Sequence, residues 1–210
     1  MRGADMTNDV PDVEKMADFF DRRAASYEEH MRWSVAGFDD FYRNVAEPIG
    51  RTEEPIAVLD LGCGTGLELA FIFEKVLNAQ ITAVDLSQEM LAKLSEKYAD
   101  KAGQIVLIQG SFLEFPIEQE RWDYIVSVMA MHHLTPEEKL PLYHTIHKGL
   151  KPGGLYIEAT MSSLRGKRRN SSRGIMVSGR ETPMQQTEPT ISTSRFARIR
   201  SSGFSQTQDS

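Results

Sequence analysis

The chain has 210 residues, of which 40% are hydrophobic and 26% are charged. This size and composition are typical of one soluble globular domain with a sizeable core. A formal net charge of −6 gives no overall basic field, so we expect neither nucleic acid nor a membrane surface as a partner. The single cysteine excludes an internal disulfide. Because no apolar run could span a bilayer and no signal peptide precedes the first helix, the sequence predicts a cytoplasmic protein.

Two N-terminal segments carry apolar side chains at helical spacing. The first runs from Pro11 to Met31 and the second from Val35 to Val45. A polar linker, Arg51 to Glu54, follows them. The sequence therefore predicts an N-terminal helical cap within residues 1–54 that lies on the main domain.

From Ile56 onward the pattern changes to alternating strands and helices. Apolar runs rich in Val and Ile predict buried parallel strands, which are Ile56–Leu61, Ile81–Leu86, Ile105–Gln109, Tyr124–Ala130 and Leu155–Thr160. Helical spacing predicts helices at Leu67–Leu77, Gln88–Tyr98 and Pro136–Leu150. Ser87 is a natural N-cap, and Thr135 with Glu138 makes a capping box. Residues 55–160 are therefore expected to form a doubly wound, mostly parallel α/β sheet with helices on both faces.

The turn after the first predicted strand is rich in glycine. Residues 58–66 read Val-Leu-Asp-Leu-Gly-Cys-Gly-Thr-Gly. Gly62, Gly64 and Gly66 remove side chains where a turn is tight and where a ligand must approach the backbone. The helix that follows offers unpaired N–H groups, and Asp60 lies at the carboxyl end of the strand, where open α/β sheets bind ligands. This loop is therefore the candidate cofactor site.

The spacing of these glycines separates two nucleotide-binding families. The dinucleotide fingerprint is G-x-G-x-x-G, whereas here the third glycine comes one residue earlier. With Asp60 two residues upstream, the pattern resembles the first motif of class I S-adenosylmethionine (SAM)-dependent methyltransferases. Cys63 within the loop is interpreted as a small residue packed under the cofactor rather than as a catalytic thiol.

An acid ends the second predicted strand. Asp85 can accept hydrogen bonds from the two ribose hydroxyls of an adenosine, although a helix-capping or solvated acid is the alternative. Leu86 and Met90 could cover the adenine face, and packing in the core is an equally good interpretation of Met90. These three residues extend the candidate cofactor site.

The ends of the third and fourth strands supply the remaining candidates. Ser111, or the backbone of Phe112, could contact the adenine, although Ser111 could equally be a simple loop hydroxyl. Met129 should flank the methyl donor. His132 and His133 are weak candidates for a base that takes a proton from the acceptor; the alternative is that they are solvated or hydrogen-bonded locally. No metal site is expected, because these histidines lack further ligands at suitable spacing.

Together, residues 6–160 resemble a small, bacterial-type class I SAM-dependent methyltransferase with a Rossmann-like sheet. Besides the glycine loop, Phe19–Tyr27 resembles the entry helix of such enzymes. The resemblance implies that Asp60, Gly62 and Gly64 contact the methionine end of SAM, that Asp85 contacts the ribose, and that Tyr27 helps close the pocket. The substrates of the family vary too widely to carry over. We expect a small-molecule acceptor, whose identity the residues do not give, and a monomer or homodimer.

The character of the chain changes after Thr160. Residues 161–195 are rich in Ser, Thr, Arg and Gln and include a basic run from Arg165 to Arg169. We expect residues 161–210 to form an irregular, disordered tail without the closing strand pair, which would leave the fifth strand as an exposed edge. A basic patch that binds nucleic acid is one interpretation of this segment. The hypothesis that we favour is a shift of the reading frame. In the frame moved back by one nucleotide, Glu188–Phe196 can encode Gly-Thr-Tyr-His-Ile-Asp-Ile-Pro-Phe, which resembles a late segment of this family.

Two alternatives to methyl transfer remain open at this point. The first is a module that binds SAM or a nucleotide without turnover, because the tail is unusual and Ser111 replaces an acid that the family often has. The second is a dinucleotide oxidoreductase, which the glycine spacing disfavours.

Overall fold

Strands and helices alternate from residue 57 to residue 162, as the sequence pattern predicts, except that residues 110–121 join two strands without a helix. The computed structural model describes residues 13–162, 172–180 and 197–198. The helices are α1 (Val13–Asp21), α2 (Tyr27–Ser34), α3 (Phe38–Ala46), α4 (Leu69–Lys75), α5 (Gln88–Lys97) and α6 (Pro136–Gly149), with short 3₁₀ turns at Ala24–Ser26, Ala99–Lys101 and Met131–His133. The strands are β1 (Ala57–Leu61), β2 (Gln80–Asp85), β3 (Ile105–Gln109), β4 (Trp122–Val128), β5 (Leu150–Ser162), β6 (Ser172–Gly179) and β7 (Ala197–Arg198).

The seven strands form one sheet in the order β3-β2-β1-β4-β5-β6-β7. The first five strands of this order are parallel. At one edge, β6 pairs antiparallel with β5, and β7 pairs antiparallel with β6. The chain builds outward from β1 to β3, returns to the other side of β1 with β4, and continues outward. A crevice therefore opens at the carboxyl ends of β1 and β4. The predicted doubly wound architecture is confirmed.

Helices cover both faces of the sheet because side chains alternate along each strand. Val58 of β1 belongs to a buried cluster that also contains apolar residues of α2, α3, α4 and α5. Its neighbours Leu59 and Leu61 point to the opposite face, where they pack in a second cluster with Leu142 and Ile146 of α6. The N-terminal helices thus share the core of the sheet.

The local start signals of two helices are present as predicted. The Ser87 side chain accepts a 3.1 Å hydrogen bond from the backbone N–H of Met90 at the start of α5. Thr135 and Glu138 form the complete capping box of α6. These caps fix where the loops after β2 and β4 end.

The expectation for the residues after Thr160 is wrong at β6. This strand pairs with β5 in antiparallel register from Leu155 opposite Gly179 to Ser162 opposite Ser172, so that β5 is not an edge strand. The run Ile175-Met176-Val177 supplies the apolar and β-branched residues that a strand needs, and its side chains reach both core clusters. The basic run from Arg165 to Arg169 and the segment on which the frame-shift hypothesis depends lie outside the described residues.

Within the described parts of the chain, no helix combines the length and the apolar character required to cross a membrane.

Candidate functional site

A cleft opens at the carboxyl ends of the central strands, where the strand order reverses. Its cavity volume is about 210 Å³. The described residues that line it are Met16, Phe20, Tyr27, Gly62, Gly64, Asp85, Leu86, Met90, Ser111, Phe112, Leu113, Val128, Met129, Ala130, His133, Leu134, Thr135 and Glu138. Ten of the predicted site residues are among them, whereas Asp60, Cys63, Gly66 and His132 are not.

The glycine loop forms part of the cleft wall in a backbone conformation that favours glycine. Gly62, Gly64 and Gly66 have φ angles of 76°, 50° and 65°. A Cβ atom on Gly62 would lie 2.4 Å from the Cβ of Ala130, and one on Gly66 would lie 3.0 Å from side-chain atoms of Leu94. Gly62 therefore allows the loop to approach the end of β4, while Gly66 allows close helix packing behind it.

Asp85 joins two of the loops that line the cleft. Its Oδ2 accepts a 2.7 Å hydrogen bond from the backbone N–H of Gly64, and its Oδ1 accepts a 2.9 Å bond from the backbone N–H of Ser87. Burial raises the pKa of Asp85, while these two hydrogen bonds act in the opposite direction. Each oxygen keeps a further lone pair, so the carboxyl group can also accept hydrogen bonds from a ligand in the cleft.

Two carboxyl groups are buried behind the glycine loop. Asp60 is 0% exposed and Glu68, in the first turn after the loop, is 3% exposed. None of the described residues donates a hydrogen bond to either oxygen of Asp60 or to Oε1 of Glu68. Burial raises the pKa of both groups, and the Glu68 charge raises that of Asp60 further. Sequence analysis missed Glu68; the signal available was an acid between two apolar residues, Leu67 and Leu69.

Cys63 is buried in the same loop and 4% exposed. Burial, followed by the charge of Asp60, raises the pKa of its thiol. The thiol therefore stays protonated near neutral pH and is a poor nucleophile. This agrees with the interpretation of Cys63 as a small packing residue.

Helix α1 covers one side of the cleft, although the sequence analysis did not name its residues Met16 and Phe20 as site residues. Met16 and Phe20 line the cleft, and the Phe20 ring meets the His133 ring edge-to-face at 5.6 Å between centroids. At the end of α1, Oδ1 of Asp21 accepts a 2.5 Å hydrogen bond from the Ser87 hydroxyl and a 3.3 Å bond from the backbone N–H of Glu89. The cap is therefore tied to the start of α5, next to Asp85.

The ends of β3 and β4 complete the cleft with Ser111, Phe112, Met129 and His133. The centroids of the His132 and His133 rings are 4.1 Å apart, with the ring planes tilted by 38°. His133 lines the cleft, whereas His132 does not. Although both residues are exposed overall, partial burial lowers the pKa of each, and the pKa of His132, which also senses His133, falls to about 4. His133 is therefore neutral near pH 7 and can accept a proton from a group in the cleft.

The described residues contain no group of three or more His, Cys, Asp or Glu side chains arranged to hold a metal ion.

A comparison with protein families agrees with this geometry. Residues 58–154 match the model of the methyltransferase domain family. The match confirms the predicted resemblance at the level of a methyltransferase domain over residues 58–154. The sheet order and the glycine loop agree with the class I SAM-dependent type.

Two relatives match longer stretches of the chain than the family model does. The chain is 34% identical over 146 residues to an uncharacterized methyltransferase of Geobacillus kaustophilus, covering 70% of this chain and 63% of that protein. It therefore spans less than two thirds of that relative. It is also 28% identical over an alignment of 219 residues to a carboxy-S-adenosyl-L-methionine synthase of Shewanella halifaxensis, covering 92% of this chain and 88% of that protein.

Among solved structures, the fold is similar to that of Haemonchus contortus phosphoethanolamine N-methyltransferase 2 in complex with phosphomonomethylethanolamine and S-adenosylhomocysteine. The TM-score is 0.61 at 22% identity, and the match covers 77% of this chain and 38% of that one. At this identity the likeness concerns the fold.

Proposed function

We propose that this protein transfers a methyl group from SAM to a small-molecule acceptor. The observation that carries the proposal is the position of Asp85. Its carboxyl group is held by the N–H groups of Gly64 and Ser87 on the wall of a cleft that the glycine loop helps to form. A carboxyl group fixed at the end of the second strand is suited to the paired hydroxyls of a ribose.

The rest of the lining fits the other parts of the donor. Gly62 and Gly64 leave room for the methionine end beside the loop, since neither carries a side chain. Leu86, Met90 and Phe112 offer apolar surface to the adenine. The negative charge of the surrounding carboxyl groups favours the sulfonium cation of SAM.

The reaction needs alignment more than acid–base catalysis, because a sulfonium is already a strong electrophile. A nucleophile on the acceptor attacks the methyl carbon, the carbon–sulfur bond breaks, and its electron pair stays on sulfur to give S-adenosylhomocysteine. The proton of the acceptor passes to water or to neutral His133. Met16 and Phe20 of α1 exclude water from this side of the cleft.

The Shewanella relative suggests a second reaction, the formation of a carboxylated SAM. The extra carboxylate of that product would need a cationic side chain close to the sulfonium to bind it. The described lining residues include two acids, Asp85 and Glu138, and neither Lys nor Arg. This charge pattern favours unmodified SAM as the donor.

A calorimetric titration of the purified chain with SAM and with S-adenosylhomocysteine, beside circular dichroism, tests the donor. We expect micromolar binding of both by a folded chain, and no competition by NADH. Failure of a folded chain to bind either compound would contradict the proposal, and competition by NADH would favour the oxidoreductase alternative.

Turnover is tested separately, because a binding module would pass the first experiment. SAM labelled in its methyl group is incubated with the protein and a protein-free metabolite extract. We expect labelled product and S-adenosylhomocysteine that depend on both components. Tight SAM binding without transfer would favour the alternative of a module without turnover.

A further inference from the structure

The carboxyl groups of Asp60 and Glu68 form a pair that has no part in the proposed methyl transfer. Both are buried, and each is close enough to the other to influence its proton affinity. The described residues offer no hydrogen bond to either oxygen of Asp60 or to Oε1 of Glu68. Two buried carboxylates without donors would be costly, whereas one shared proton would supply a donor and remove one charge.

Other ionisable groups surround this pair on every packed element. They are Tyr27 and Glu28 of α2, Tyr42 of α3, Cys63 of the glycine loop, Asp85 after β2, and Lys97 and Tyr98 at the end of α5. Burial raises the pKa of each tyrosine and of the cysteine, so these four groups stay neutral near pH 7. The Lys97 ammonium pairs with Glu28 at 2.5 Å. The groups left to exchange a proton near neutral pH are therefore Asp60, Glu68 and Asp85.

The pair lies close to the cleft. Asp60 is two residues from Gly62 on the cleft wall, and two residues span at most about 7 Å. Tyr27 also lines the cleft and senses the charges of both Glu68 and Asp85. Over such a distance, a positive charge in the cleft changes the proton affinity of a carboxyl group by on the order of tenfold.

We propose that Asp60 and Glu68 share a proton while the cleft is empty and release it when the cationic methyl donor binds. Glu68 is then a positioning residue of the donor site, which acts through Asp60 without contacting the reacting atoms. The inference rests on the proposed function, because it takes SAM as the cation. It links donor affinity to pH, since binding that releases a proton strengthens as pH rises.

Calorimetry in two buffers measures this release directly. The full chain is titrated with SAM in phosphate and in Tris, whose ionisation enthalpies differ, so that the difference in apparent enthalpy gives the number of protons released. We expect a release of up to about one proton near neutral pH. S-adenosylhomocysteine, which lacks the sulfonium charge, should release less.

Two variants, one at the N-cap of α4 and one within α4, separate the pair from its surroundings. Glu68→Gln should abolish most of the proton release with SAM, and any remainder would come from Asp85. Glu74→Gln, at an exposed position of α4, should leave the release unchanged. Since Glu68→Gln could disturb folding, infrared spectroscopy of the unmodified chain provides a second measurement. The carbonyl band of a protonated carboxyl group should disappear when SAM binds.

These experiments distinguish a failure of the inference from a failure of the proposed function. SAM binding without proton release, equal release in Glu68→Gln, or an infrared band that SAM leaves unchanged would each overturn the inference while leaving the proposed function intact. Failure of the folded chain to bind SAM would overturn the proposed function, and the inference with it.

Discussion

Asp85 accepts a 2.7 Å hydrogen bond from the backbone N–H of Gly64, which joins the end of β2 to the loop after β1. The same carboxyl group also accepts a bond from Ser87, the cap of α5. One side chain therefore sets the relative positions of two loops that line the cleft. In the proposed function it also receives the ribose, so its removal should affect both loop order and donor binding.

We predict that Asp85→Asn weakens SAM binding by about tenfold to a hundredfold, because a hydrogen bond to a charged group contributes about 1.5–3 kcal/mol. The amide keeps one acceptor oxygen but places an NH₂ group against a backbone donor. Calorimetric titration with SAM measures the change. Asp100→Asn, at an exposed position after α5, is the matched control and should bind normally. Equal affinities of the two variants would exclude a role for Asp85 in the donor site.

The conformation of the glycine loop gives a second prediction. Gly62→Ala should destabilise the fold by about 2–4 kcal/mol, because the residue has a φ of 76° and its new Cβ would lie 2.4 Å from Ala130. Gly103→Ala is the control, since a Cβ there meets nothing within 4 Å. Urea unfolding followed by circular dichroism measures both. A loss in Gly62→Ala no larger than in Gly103→Ala would show that the loop can relax freely.

The parts of the fold that the sequence predicts are those with a local chemical cause. The five parallel strands follow from continuous apolar runs, and β3 has the predicted limits Ile105–Gln109. The caps at Ser87 and Thr135 follow from short-range hydrogen bonding to the next turn of helix. The positions of Gly62 and Gly64 on the cleft wall follow from the need for a tight turn.

The parts that were missed depend on contacts between distant segments. One apolar stripe predicted a helix from Pro11 to Met31, yet α1 ends at Asp21 and α2 begins at Tyr27, without a Pro or Gly to mark the break. The docking of α1 depends on Asp21 and Ser87, which are 66 positions apart. Burial of Glu68 likewise depends on helices that come from elsewhere in the chain. Periodicity shows which face of a helix or strand is apolar, but it does not show which other element covers that face.

The contact between α1 and α5 gives a third prediction. Asp21→Ala should loosen α1, since it removes the acceptor for the Ser87 hydroxyl and for the backbone N–H of Glu89. We expect weaker SAM binding by up to about thirtyfold, from the loss of two hydrogen bonds of about 1 kcal/mol each, and faster proteolysis within α1. Asp18→Ala, at an exposed position on the same helix, is the control. Unchanged proteolysis and unchanged binding in Asp21→Ala would show that α1 does not close the cleft.

The buried carboxyl pair gives a last prediction, which concerns folding stability and does not depend on a ligand. Burial raises the pKa of Asp60 above its ordinary value of 3.8 and that of Glu68 above 4.5. The folded chain therefore holds more protons than the unfolded chain once the pH exceeds these ordinary values. Stability from the pair is fully present below about pH 4 and is lost as the pH rises through the folded-state pKa values.

Glu68→Gln replaces one member of the pair by a neutral group of similar shape, so this loss should shrink. We predict that the free energy of unfolding of the variant, minus that of the unmodified chain, increases between about pH 4 and neutral pH. Urea unfolding at a series of pH values measures the difference, with exposed Glu74→Gln as the control whose difference should stay flat. The slope is the informative quantity, because a purely structural effect of the amide would shift stability equally at every pH. A flat difference for Glu68→Gln would mean that Asp60 and Glu68 hold no extra proton in the folded chain.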